Sequence, residues 1–154
     1  MAKTLFNNST IINATLAKVW EGLTSPQQMA KWMAESEIEI ITSWQVGSPI
    51  IIRGDLHGIP FENTGRVLQF EPEKVLRYTH LSSLSNLPDE INSYSVIEFS
   101  LQPNGNQTVL TLTLSNFPTE EIYRHLAFYW GVTLEMLKGF IEWYATTTNT
   151  TNIS

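Results

Sequence analysis

A chain of 154 residues, 42% apolar and 16% charged, is long enough for one domain with a real core and too short for two ordinary ones. Its 15 acids against 9 bases leave a net charge of -6 with no clustered Lys or Arg, which argues against nucleic acid or an anionic membrane surface as partner. It contains no cysteine, so disulfides, thiolate nucleophiles and cysteine-based zinc sites are excluded.

Residues 3–13 mix β-branched and polar types and read as a first strand. Asn13 can cap a helix from Ala14, in which Leu16, Val19, Trp20 and Leu23 share one face. Ser25-Pro26 stops that helix and starts another, since proline suits a first helical turn. Met29, Trp32 and Met33 line one side of it. Glu37 to Ile40 alternates and reads as a strand with one wet face. Gly47-Ser48-Pro49 is a turn, Ile50-Ile51-Ile52 a strand, and His57-Gly58-Ile59-Pro60 a hairpin connection. Residues 61–70 form a strand with a bulge or bend expected around Gly65. After the turn at Glu71 to Lys74, Leu76, Tyr78 and His80 share a face. Ser82 to Asn92 reads as a long loop. Ile97, Phe99 and Leu101 alternate, as do Leu110, Leu112 and Leu114, with Asn104-Gly105 as the turn between them. Pro118 to Glu121 opens a last helix whose two acids suit its positive end. Ile122, Leu126, Trp130, Leu134, Leu137, Ile141 and Tyr144 form its apolar stripe. Gly131 and Gly139 weaken it by about 1 kcal/mol each.

No N-terminal apolar run suggests a signal peptide, and none approaches the roughly 20 residues of a membrane span. A cytoplasmic protein is expected. Asn8-Ser9-Thr10, Asn13-Ala14-Thr15 and Asn106-Gln107-Thr108 match glycosylation sequons, which carry no weight without secretion. Residues 1–145 read as one domain. Residues 146–154 read as a disordered polar tail with nothing to bury.

The order of parts, β-α-α-β-β-β-β-β-α, resembles the α+β helix-grip, or START-like, fold. In it a curved antiparallel sheet wraps a long C-terminal helix. Val19-Trp20-Glu21-Gly22-Leu23-Thr24-Ser25-Pro26 with Lys31-Trp32-Met33 resembles a V-W-x-x-L-T-x-P…W segment. Gly65-Arg66-Val67-Leu68-Gln69-Phe70-Glu71-Pro72 resembles G-x-V-L-x-x-x-P. Tyr78-Thr79-His80 stands where Y/F-T-W is frequent. Thr111 to Pro118 resembles L-T-x-S-G-F-P with Asn116 in place of Gly. Trp130 to Phe140 resembles a W-x-x-x-L-x-x-L-K helix. Together these resemble the family of homologues of the activator of the heat-shock-ninety chaperone ATPase, over residues 10–144. The resemblance implies a cavity between sheet and helix, as in polyketide cyclases and lipid-transfer proteins. The family name is a poor guide to function, since the co-chaperone itself carries a further N-terminal domain.

The residues carry little overt chemistry. No G-x-S-x-G elbow is present, and Ser48 sits in a turn. His57, His80 and His125 are far apart with no metal-ligand spacing, so no metal or other cofactor is expected. Glu35, Glu37 and Glu39 alternate as a solvated strand face. Glu71 and Glu73 flank a turn proline, and Glu120 and Glu121 answer to the helix dipole. Tyr78 and His80 are the best candidates for polar pocket chemistry, against a plainer reading as satisfied core residues. The expected cavity is lined by Trp32, Ile52, Tyr78, His80, Phe99, Leu112, Trp130 and Leu134. It would take a small apolar or amphipathic molecule, with Tyr78 and His80 orienting a polar group. No catalytic residue is assigned. The alternatives are a cyclase, dehydratase or hydrolase using His80 as general base, and a surface-acting partner of a chaperone. A homodimer is open, because aromatics such as Trp143 and Tyr144 can form an exposed patch.

Overall fold

The computed structural model describes residues 5–153, with side chains through residue 147. The chain runs β1 (Leu5–Ile12), α1 (Leu16–Thr24), α2 (Pro26–Trp32), β2 (Ile38–Thr42), β3 (Pro49–Leu56), β4 (Ile59–Glu71) and β5 (Val75–Ser82). It continues through β6 (Ser95–Asn104) and β7 (Gln107–Ser115) to α3 (Glu120–Ile153). The architecture is the expected α+β one. Each segment read as a strand is a strand, so six stand between the helix pair and α3, one more than the summary order allows.

The seven strands form one curved antiparallel sheet in the order β1-β7-β6-β5-β4-β3-β2. Period-2 alternation sends one set of side chains to the inner face. Register then stacks them in rows across the central strands: Tyr78, Ile97 and Leu114 in one, Leu76, Phe99 and Leu112 in the next. All six are buried. α3 lays Leu126, Trp130, Leu134, Leu137 and Ile141 against them in the same core. Among the described side chains, Ala145, not Tyr144, is the last buried one of that stripe. α1 packs closely on α3, since a Cβ on Gly22 would lie 2.7 Å from Ile141 Cγ1.

Local signals were met with small displacements. The first helix is capped not by Asn13 but by Thr15, whose Oγ1 accepts from Lys18 N–H at 3.3 Å. Asn13 N–H instead donates to Glu142 Oε2 on α3 at 2.8 Å, a long-range bond that sequence spacing cannot show. At Gly65 the strands press together, for a Cβ there would stand 1.7 Å from Thr79 O. The register shift itself falls between Val67 and Gln69. The β6–β7 turn is Gly105-Asn106, one residue later than expected, because Asn104 pairs with Gln107. Asn116 has φ of 58°, a left-handed conformation that glycine or asparagine tolerates best. α3 continues past the expected end of the domain to Ile153. Extending a formed helix adds one hydrogen bond per residue fixed, which a polar composition does not forbid.

Candidate functional site

The middle of the sheet–helix interface is filled. Trp130, 3% exposed, meets Phe99 edge-on at 5.6 Å, Trp32 at 6.2 Å and Tyr129 edge-on at 5.2 Å. Two polar edges nearby have partners: Trp32 Nε1–H donates to Gly22 O at 2.9 Å, and the Tyr129 hydroxyl donates to Met33 O at 2.5 Å. These bonds tie α1, α2 and α3 together around the indole. Burial, and secondarily the nearby Tyr129, raises the Tyr78 hydroxyl well above the usual tyrosine range, so it stays neutral.

The interface opens toward one end of the helix. There His80, Ser82, Ser85, Leu87, Ser93, Ser95, Ile122, His125 and Leu126 surround interior room of about 30 Å³, enough for a water or two. Counted out to its mouth, solvent included, the concavity is about 280 Å³. Strand register creates the pairing at its heart, because His80 on β5 stands directly opposite Ser95 on β6. The covering wall is the segment between β5 and β6, which makes two single turns of 3-10 helix at Ser83–Ser85 and Ile91–Ser93. His125 and Ile122 come from the first turns of α3.

His80 is held neutral. Burial first, and then the charge of His125, push its pKa down to about 4. No hydrogen bond contributes to that shift. At pH 7 such an imidazole is almost wholly unprotonated and can accept or donate one hydrogen bond. It is a weak proton carrier near neutrality, where a general base works best with a matched pKa. Ser93 and Ser95 are buried at 7% and 1% exposure. Two hydroxyls and an imidazole thus converge on a small space with apolar walls, the composition of a specific small-ligand subsite.

Of the eight expected cavity residues, the structure brings Trp32, Ile52, Tyr78, Phe99, Leu112, Trp130 and Leu134 together as packed core. His80 alone of them faces free space. Ser95 was overlooked, although the alternation Ser95, Ile97, Phe99, Leu101 signals a polar residue on an apolar face. His57 lies exposed in the β3–β4 turn with φ of 52°. Glu35, Glu37 and Glu39 are exposed, as expected. Among the described residues, no group of His, Asp or Glu could hold a metal ion, and no helix is long and apolar enough to cross a membrane.

A curved antiparallel sheet closed by one long C-terminal helix defines a helix-grip protein. The chain belongs to the family described as Activator of Hsp90 ATPase homolog 1-like protein, whose model matches residues 13–142. Among solved structures it resembles ChR145 from Cytophaga hutchinsonii, at 32% identity over 95% of this chain and 99% of that one, with a TM-score of 0.77. It also resembles the Aha1 dimer from Colwellia psychrerythraea, at 26% identity over 91% and 97%, with a TM-score of 0.70. NE0264 from Nitrosomonas europaea shares the fold at 23% identity over 92% and 96%, with a TM-score of 0.75. No curated protein matches the chain.

Proposed function

We propose that this protein binds one small amphipathic molecule at the His80 end of the sheet–helix interface and catalyses no reaction there. The observation that carries the reading is the meeting of His80, Ser93 and Ser95 at an interior space bordered by Leu87, Ile122 and Leu126. A polar group of the ligand would bond the imidazole and hydroxyls. Its apolar part would lie against the leucines and isoleucine, each Å² removed from water contributing about 25 cal/mol. Interior room of about 30 Å³ is too small for such a molecule, so entry requires the 83–94 segment to swing outward. The filled interface around Trp130 restricts the ligand to this end, which favours a short molecule over a long-chain lipid.

The low pKa of His80 weighs against an enzyme that uses it as general base near neutrality. The family description and the Colwellia structure bring two partner readings to this chain, a chaperone of the Hsp90 kind and a second copy of itself. Of these we favour the homodimer, for which α3 offers a surface. A cytoplasmic location fits all three readings.

Native mass spectrometry of protein from its own host tests the ligand reading. A stoichiometric small molecule is expected, and His80→Ala should lose it while keeping the fold. An empty protein that also shows no thermal shift with short amphipathic acids, alcohols or amides would count against it.

A further inference from the structure

α3 buries one face on the sheet, and its opposite face is unpartnered among the described residues. There Phe128, Val132, Met136 and Trp143 are 75%, 53%, 49% and 61% exposed. At roughly 100° per residue they fall within about 80° of arc, forming one stripe about 22 Å long. Gly139 lies in the middle of that stripe, and a Cβ there would meet nothing within 4 Å. A glycine inside a helix weakens it. Among the described residues, no packing accounts for this one. Phe140 packs beside the stripe at 6.1 Å from Trp143 and stacks on Tyr144 at 5.5 Å, bracing the Trp143 end.

We infer that this stripe is the interface of a twofold homodimer, with α3 antiparallel to α3 of a second copy and the axis between Glu135 and Met136. The inference rests on the homodimer reading above and adds its surface and register. About that axis Phe128 opposes the partner's Trp143, and Val132 opposes the partner's Gly139. The outer layers therefore join two aromatic rings or fit a branched side chain over a bare backbone, and at the centre Met136 lies across from the stem of the partner's Glu135. A twofold interface must be complementary to itself, and here the spacing of the exposed residues supplies that. The same register brings Glu135 beside the partner's Glu135, the one repulsive contact near the centre.

The area is adequate for a modest interface. The four side chains leave on the order of 450 Å² of apolar surface per copy in water. Two copies would remove about 900 Å² from these residues alone, against roughly 1,200 Å² and more for stable interfaces. Phe140 and the flanking polar residues supply the remainder. Association in the micromolar range is expected, not an obligate dimer.

Sedimentation of the full chain up to about 100 µM, above the Kd of a weak interface, gives the first readout. A species of twice the 17.5 kDa chain mass is expected at the upper end. Val132→Lys should weaken association by tenfold or more, with an unchanged circular dichroism spectrum because the side chain is exposed. Glu135→Gln should tighten it severalfold. Because the chain has no cysteine, a mixture of Val132→Cys and Gly139→Cys proteins should cross-link on oxidation well beyond either alone. A monomer at every concentration overturns both this inference and the homodimer reading. A dimer indifferent to Val132→Lys, with no cross-link in the mixture, overturns the α3 interface and leaves the homodimer standing.

Discussion

The two ends of the sheet–helix interface are built from the same elements and have opposite characters. At one end Trp130 is wedged among Phe99, Trp32 and Tyr129, and the nearby indole and hydroxyl groups of Trp32 and Tyr129 are satisfied. At the other, His80 faces Ser95 across the strands beside free space. Close packing with paired polar groups stabilises a fold, whereas polar groups left around a small void are kept at some cost in stability. In this chain the first region serves the fold, and the second is where the proposed ligand would bind.

Trp130→Ala should show the largest effect. Removing a buried aromatic and leaving its cavity costs about 3–5 kcal/mol. For a chain of this size that lowers Tm by roughly 10 °C, which thermal denaturation would register. A loss under about 1 kcal/mol would mean that the region is less tightly packed than its ring contacts indicate. Trp32→Phe keeps most of the ring but deletes the bond to Gly22 O, leaving a buried carbonyl short of its partner. About 1–3 kcal/mol is expected in urea melts.

His80 sharpens the comparison through pH. The folded protein keeps it neutral down to about pH 4, while an unfolded chain protonates it near 6.5. Its contribution is therefore fully present above pH 6.5 and is lost as the pH falls from there toward 4. The slope is at most about 1.4 kcal/mol per pH unit. Below pH 4 both states hold the proton and its share of the slope vanishes. Stability curves of wild type and His80→Ala, taken between these limits, should diverge in slope; parallel curves would remove the case for an imidazole held neutral by the fold. Ser95→Ala should have the smallest effect on stability, within about 1 kcal/mol, while weakening any ligand that reports on the cavity.

Most strands could be read from the sequence because alternation is a local property: Leu76-Tyr78, Ile97-Phe99-Leu101 and Leu110-Leu112-Leu114 each mark an inner face by themselves. Pro26 and Gly105 likewise mark a helix start and a turn through their own backbone limits. The helix-grip order, and with it the family, follows from these pieces in sequence. The cap falls on Thr15 because the helix begins at Leu16, while the Asn13 N–H is taken by Glu142, a residue 129 positions away. Burial holds against the charge of that Glu142 carboxyl, but the Asn13 N–H and Lys138 outweigh it and keep its pKa below the usual range.

Periodicity could say which residues face inward but not whether they leave room, because volume is summed over all elements at once. Trp32, Tyr78, Phe99 and Trp130 each read as cavity wall or core with equal ease until the register of β5 and β6 and the seat of α3 gathered them in one core. The same register set His80 against Ser95, fifteen residues on, and the connecting segment folded back to roof the space between them. Local chemistry, carried by side-chain alternation and backbone limits, determined the elements and their order. Which part of their shared interface is filled and which is left open depended on long-range packing, and only the tertiary structure decided it.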